Sequence, residues 1–214
     1  MTPQLTRNLQ AIAHRFPPVF EELKSVADQC PSPESIREFL SSIYGTGDRA
    51  ALMRRWLSKA PVEEKQVLIT SGFGDGTHIQ ALVDAIPPTS AVCVLDCQPE
   101  CLLGSLRDRD VSTLLMNPRV FLATPFSYRE VIRSLNIELI GIESSAHFIY
   151  APVFDRAEGL YHNMLDTVGR QLHIRWNQIR TDVEHAEIVF HNTIRNFAEV
   201  GFGSEILALR NLFE

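Results

Sequence analysis

Lysine is scarce in this chain of 214 residues: Lys24, Lys59 and Lys65 are the only three, and every later cation is arginine. Positive charge as a whole is short, with 20 Lys and Arg against 26 Asp and Glu, a formal net charge of −6. That balance argues against the broad basic face that binds phosphates, so no nucleic-acid partner is expected. Long apolar runs are missing too. None approaches the ~18 apolar residues that span a bilayer. The longest uncharged, apolar-leaning run, Ser144 to Phe154, contains His147 and Pro152. The first twenty residues lack the apolar core of a secretory signal and are interrupted by Arg7 and Arg15. The chain therefore reads as cytoplasmic, with no membrane partner.

Cysteine is limited to positions 30, 93, 97 and 101, too few for a disulfide scaffold. Cys93 lies in an apolar run, and Cys97 and Cys101 straddle Pro99 at an expected strand-to-helix turn. Zinc ligands usually arrive as C-x2-C or C-x4-C with a second pair elsewhere, and no such second pair is evident. The four read as buried or surface thiols, with no metal site expected. What the chain does have is ordinary: 45% hydrophobic and 21% charged residues. This describes one large globular domain, or one domain with helical additions.

The pattern divides the chain into three. Residues 1–65 form a helical lead-in. Leu5, Leu9, Ile12 and Ala13 recur at helical spacing, and Pro17-Pro18 is expected to stop that helix. Ser32 or Ser35 can cap a second helix over Ile36, Phe39, Leu40 and Ile43, and Ala50 to Leu57 suggest a third. Residues 66–150 hold short apolar runs at Val67–Thr70, Ala91–Leu95, Val120–Ala123 and Leu139–Ile142, separated by helical stretches. Such alternation predicts an α/β fold with a parallel sheet covered by helices on both faces, Rossmann-like and close to the methyltransferase arrangement. Residues 151–214 form a helical extension. One helix is expected over Leu160–Ile174, and a longer one over Ile179–Val200 with Ile179, Val183, Ala186, Phe190, Ile194 and Phe197 on one stripe. Ser204 is expected to cap a last helix. An apolar ending of this kind leads toward a following domain.

The strongest motif is strand, Gly72-x-Gly74-x-Gly76, helix, then a strand ending in Asp96. Glycine there permits a tight turn and lets backbone approach a ligand, and the next helix points its free N–H groups at the same place. Asp96, 20 residues beyond Gly76, would stand at the neighbouring strand tip, in reach of a ribose diol. A nicotinamide fingerprint needs a small residue at position 77, where Thr77 stands. The G-x-G-x-G spacing resembles the adenosylmethionine-dependent methyltransferase loop. That family usually carries an acid two residues before the first glycine, where this chain has Thr70, and the third strand ends in Ala123-Thr124-Pro125 with no acid. Two readings stay open: Gly72, Gly74, Gly76 and Asp96 bind S-adenosylmethionine or a nucleotide, or they form a strand-to-helix turn without cofactor. Asp75 reads as a solvated loop residue. His185, Asn192 and Asn196 fall opposite the Phe190 stripe, as a solvated face or a docking surface for a following domain. His147, His162 and His173 have no acid or nucleophile at a diagnostic spacing. Ser144-Ser145 lacks the G-x-S-x-G frame of a hydrolase nucleophile. No catalytic residue is assigned.

Three separated segments together resemble one family. Asn8-Leu9-Gln10 through Arg15-Phe16-Pro17 resembles the opening helix of motility-associated-factor (Maf) proteins, related to the hydroxymethylpterin-pyrophosphokinase-like DUF115 group. Gly72-Phe73-Gly74-Asp75-Gly76-Thr77-His78-Ile79 is similar to that family's G-F-G-x-G-[YT]-H-[LI] loop. Asn192-Thr193-Ile194-Arg195-Asn196-Phe197 resembles the N-x-x-x-N segment preceding its catalytic domain. Asp96 stands where relatives often show Glu. The resemblance implies an N-terminal Rossmann-like accessory domain of a glycosyltransferase that moves nonulosonic sugars from CMP donors to flagellin. Its partners would be the following catalytic domain and flagellin. The family's catalytic G-P-S loop does not occur in these residues, so the resemblance implies no catalysis by this chain alone.

Overall fold

Val67-Leu68-Ile69 and Val92-Cys93-Val94 carry no charge and are completely buried, as strands covered on both faces must be. They are the centres of β1 (Gln66–Ser71) and β2 (Ala91–Leu95), flanked by β3 (Val120–Ala123) and β4 (Ser144–His147). The sheet order is β3-β2-β1-β4, and every pairing is parallel. Ile69 is aligned with Cys93 on one side and His147 on the other. The structure is a computed structural model that describes residues 2–45, 47–138, 144–155 and 157–199. The strand expected at Leu139–Ile142 and the helix expected after Ser204 lie outside the described residues. The described fourth strand is the half-exposed Ser-Ser-Ala-His segment.

The lead-in is helical as its caps predict. Thr2 caps α1 (Pro3–Arg15), Ser32 caps α3 (Pro33–Tyr44), and Asp48 accepts from the Ala50 and Ala51 N–H groups to start α4 (Arg49–Leu57). Pro17-Pro18 does more than end α1. It opens α2 (Pro17–Ser25), at first-turn positions whose N–H groups have no helical partner to lose. A 3-10 turn follows at Ala27–Gln29. Around the sheet lie α5 (Thr77–Ala85), α6 (Pro99–Asp108), α7 (Ser112–Leu115), α8 (Tyr128–Glu138) and α9 (Ala151–Phe154). The two helices expected toward the C-terminus are one, α10 (Glu158–Glu199). Between Ile174 and Ile179 stand Arg-Trp-Asn-Gln, with neither glycine nor proline to break the ladder.

The chain separates into two compact units, Met1–Leu172 and His173–Glu214. In the first, the lead-in and the sheet share one core. Leu5, Ile12, Phe16, Val19 and Leu23 pack in the same cluster as Leu68, Val92, Leu102 and Leu122. Two polar side chains fix the docking. Buried Asn8 donates to the carbonyls of Leu106 (2.9 Å) and Arg109 (2.7 Å) and accepts from Val111 N–H (2.9 Å). Arg15 donates to the carbonyls of Leu115, Asn117 and Val120 at the entry to β3. These two residues serve as clamps. In the second unit the described residues are helical, and Val183, Val189, Phe190 and Ile194 are exposed. Among the described residues no helix is long and apolar enough to cross a membrane.

Asn8→Ala removes three hydrogen bonds and leaves buried backbone groups unpaired. It is expected to cost about 2–4 kcal/mol of stability in urea unfolding, and Asn8→Asp costs no less at neutral pH, since its buried carboxylate would face the Leu106 and Arg109 carbonyls with no proton to donate.

Candidate functional site

β1 lies between β2 and β4, so the chain departs on one side of it and returns on the other. In open parallel sheets the carboxyl end of such a strand is where ligands bind. Gly72, Gly74 and Gly76 occupy that end, and the fold brings Asp96 to them from the tip of β2. Gly72 N–H donates to Leu95 O at 2.6 Å, and Asp96 Oδ2 accepts from Phe73 N–H at 2.8 Å.

The three glycines have φ of 63°, 54° and 80°, in the left-handed region that side chains disfavour. All three also have protein against them, most closely Gly72 and Gly74. A Cβ on Gly72 would strike the Val153 side chain on α9 and come within 3.0 Å of the Tyr161 hydroxyl on α10. A Cβ on Gly74 would strike the Tyr44 hydroxyl at the end of α3. The close approach that glycine allows is thus made by the chain's own side chains. Asp96 is likewise engaged. Its second oxygen, Oδ1, accepts from Gln98 N–H at 2.9 Å, leading the chain into α6. The carboxyl is 4% exposed, and burial pushes it up to about 6 against the pull of its two N–H partners.

Beneath the loop runs a buried hydrogen-bond chain. Gly72 O accepts from His78 Nε2–H at 3.1 Å, because a carbonyl cannot donate. His78 Nδ1 therefore accepts from the Tyr44 hydroxyl at 2.8 Å, and Tyr44 in turn accepts from Asp75 N–H at 3.3 Å. Complete burial holds the His78 imidazole neutral, lowered to about 4. Its ring stacks on Tyr150 at 4.7 Å between centroids, and Trp56 stacks on Phe148 at 4.4 Å. His78 was visible in the sequence only as one letter of the glycine-loop pattern.

Asp75 is not the solvated residue the sequence suggested. It is 8% exposed, accepts from Thr77 N–H at 2.9 Å, and pairs with Arg49 at 3.1 Å and Arg109 at 3.9 Å. Both arginines come from other segments, α4 and the residue after α6, which local sequence cannot reveal. An acid also reaches the tip of β3 from an unexpected source. Glu22 of α2 accepts from the Thr124 hydroxyl, and its burial raises its pKa. Its other oxygen, Oε1, and the hydroxyls of Thr70 and Ser71 are buried without a hydrogen-bond partner among the described residues.

One cavity of about 290 Å³ opens at the same edge of the sheet, lined by Cys97, Pro125, Tyr128, Leu160, Asn163, Met164 and Thr167. Its described lining is mostly apolar and has no carboxylate, imidazole or cation. It can seat an apolar group, and the Cys97 thiol, pushed up to about 12 by burial, is a poor nucleophile there. The four cysteines are free thiols, and among the described residues no group of three or more His, Cys, Asp or Glu is placed to hold a metal ion. His185 and Asn192 are exposed on α10 in the second unit, and the side chain of Asn196 lies outside the described residues. No protein-family model, curated protein or solved structure matches the chain.

The two buried titrating groups act on stability in opposite directions. Neutral His78 favours the folded state increasingly as pH rises from about 4 to 6.5. The Asp96 carboxyl, protonated more readily when folded, disfavours it as pH rises from 3.8 to about 6. Asp96→Asn removes only the second effect. Urea unfolding of this variant between pH 4 and 7 is expected to show stability climbing with pH more steeply than in the parent.

Proposed function

We propose that this chain is a Rossmann-like accessory domain that binds no cofactor at its glycine loop and serves to hold and present a partner domain. The observation that carries this reading is the occupation of the loop from within: Val153 and Tyr161 stand against Gly72, and Tyr44 against Gly74. A dinucleotide or adenosylmethionine would have to displace all three. Asp96 supports the same reading, since both oxygens accept from backbone N–H groups that a ribose would have to replace. The strand order and the reversal at β1 favour the Rossmann-like description. The Maf-like segments favour a place ahead of the catalytic domain of a flagellin glycosyltransferase, as a docking or acceptor-binding module.

A methyltransferase is the second reading, favoured by the cavity next to Cys97, one residue beyond the acid that would hold the ribose. Calorimetric titration with adenosylhomocysteine and then CMP separates the two. With cooperative unfolding confirming a folded sample, neither ligand is expected to release heat. Micromolar adenosylhomocysteine binding that is lost in Gly74→Ala, or weakened about tenfold in Asp96→Ala, would overturn the accessory reading.

A further inference from the structure

The helical second unit carries an apolar seam that is largely exposed among the described residues. Trp176, Ile179, Val183, Ala186, Phe190 and Thr193 are spaced three, four, three, four, three apart, the a and d positions of a coiled coil. Ile179, Val183 and Phe190 are 40%, 53% and 63% exposed and Trp176 is half-buried, so the seam is open from Ile179 onward. Eighteen residues of helix make it ~27 Å long. Ile174 and Ile188 lie on the opposite side of the helix and take no part.

We propose that this seam pairs with the same seam of a second copy, antiparallel, making the chain a homodimer. The flanking charges select both the partner and the direction. In a parallel pair, each g residue faces the e residue five positions on in the other helix. That would set Arg175 against Arg180 and Asp182 against Glu187, two like-charge contacts on each side. Antiparallel pairing brings e residues to e residues and g to g. One register places Arg180 beside Glu187 of the second copy, and symmetry repeats the contact. In the single chain Arg180 makes a loose, exposed approach to Glu184 at 4.0 Å and a long hydrogen bond to Asn177 Oδ1 at 3.4 Å.

The same register sets large seam residues against small ones in two of its three layers. Val183 faces Ala186 of the second copy, Trp176 faces Thr193, and Ile179 faces Phe190, each layer occurring twice. Alternation of this kind lets two helices interdigitate without voids. The g positions then bring Asp182 to Val189, so no like charges meet there. Sequence and exposure thus agree on a self-complementary surface.

Sedimentation equilibrium of the full chain tests the proposal, and a dimer is the expected result. Phe190→Asp, at an exposed position that leaves the fold intact, should make it monomeric. Arg180→Glu should weaken dimerisation ~tenfold, since two attractive contacts become repulsive, and Arg180→Glu combined with Glu187→Arg should restore it. Mixing a Val183→Cys chain with an Ala186→Cys chain should give a disulfide-linked heterodimer under mild oxidation. A monomer at all concentrations overturns the proposal, whatever else covers the seam. A dimer indifferent to Phe190→Asp overturns it too. Failure of the charge swap to restore pairing overturns the antiparallel register.

Discussion

The carboxyl edge of the sheet is organised by a single dry hydrogen-bond chain, from Asp75 N–H through Tyr44 and His78 to Gly72 O. Each member has a fixed direction because one end is a backbone donor and the other a backbone acceptor. Burial makes every link costly to lose, since water is not at hand to replace it. The chain also joins elements distant in sequence. Tyr44 belongs to the lead-in, His78 to the helix after the glycine turn, and the stacked Tyr150 follows β4. The glycines of this loop form a socket for a tyrosine hydroxyl and a valine methyl.

The cost of this arrangement lies in its buried ionisable groups. His78 stays neutral, Asp96 is pushed toward neutrality, and Glu22 shares its carboxylate with Thr124 while one oxygen goes unpaired among the described residues. Asp75 alone is offset by cations, Arg49 and Arg109, at the rim where solvent begins. Acids are thus tolerated where backbone N–H groups or guanidinium groups face them.

Local pattern was sufficient where one segment decides its own structure. The central apolar strands, the Gly72 turn, the cap at Ser32 and the helix over Ala50–Leu57 were legible because propensity, periodicity and turn chemistry agree there. The Ser144–His147 strand was not. An edge strand bonds to one neighbour and leaves its side chains half-exposed, so it needs no apolar run. The occupants of the glycine loop were equally hidden. Val153 and Tyr161 lie some eighty residues beyond Gly72, and nothing in a glycine spacing tells whether a ligand or a side chain fills the gap. The joining of the two expected C-terminal helices was legible in principle, since Arg175 to Gln178 contain no breaker.

The clamps made by Asn8 and Arg15 bear on the order in which the chain is made. Their acceptors lie 98 to 105 residues downstream, so about a hundred further residues must leave the ribosome before the lead-in has anywhere to sit. Until β3 has emerged, α1 and α2 carry apolar faces without a core to cover them. The lead-in, made before the sheet it packs on, is among the last segments to be secured. Closing loops of that length is slow, which makes the nascent lead-in the stretch most in need of shelter by a chaperone.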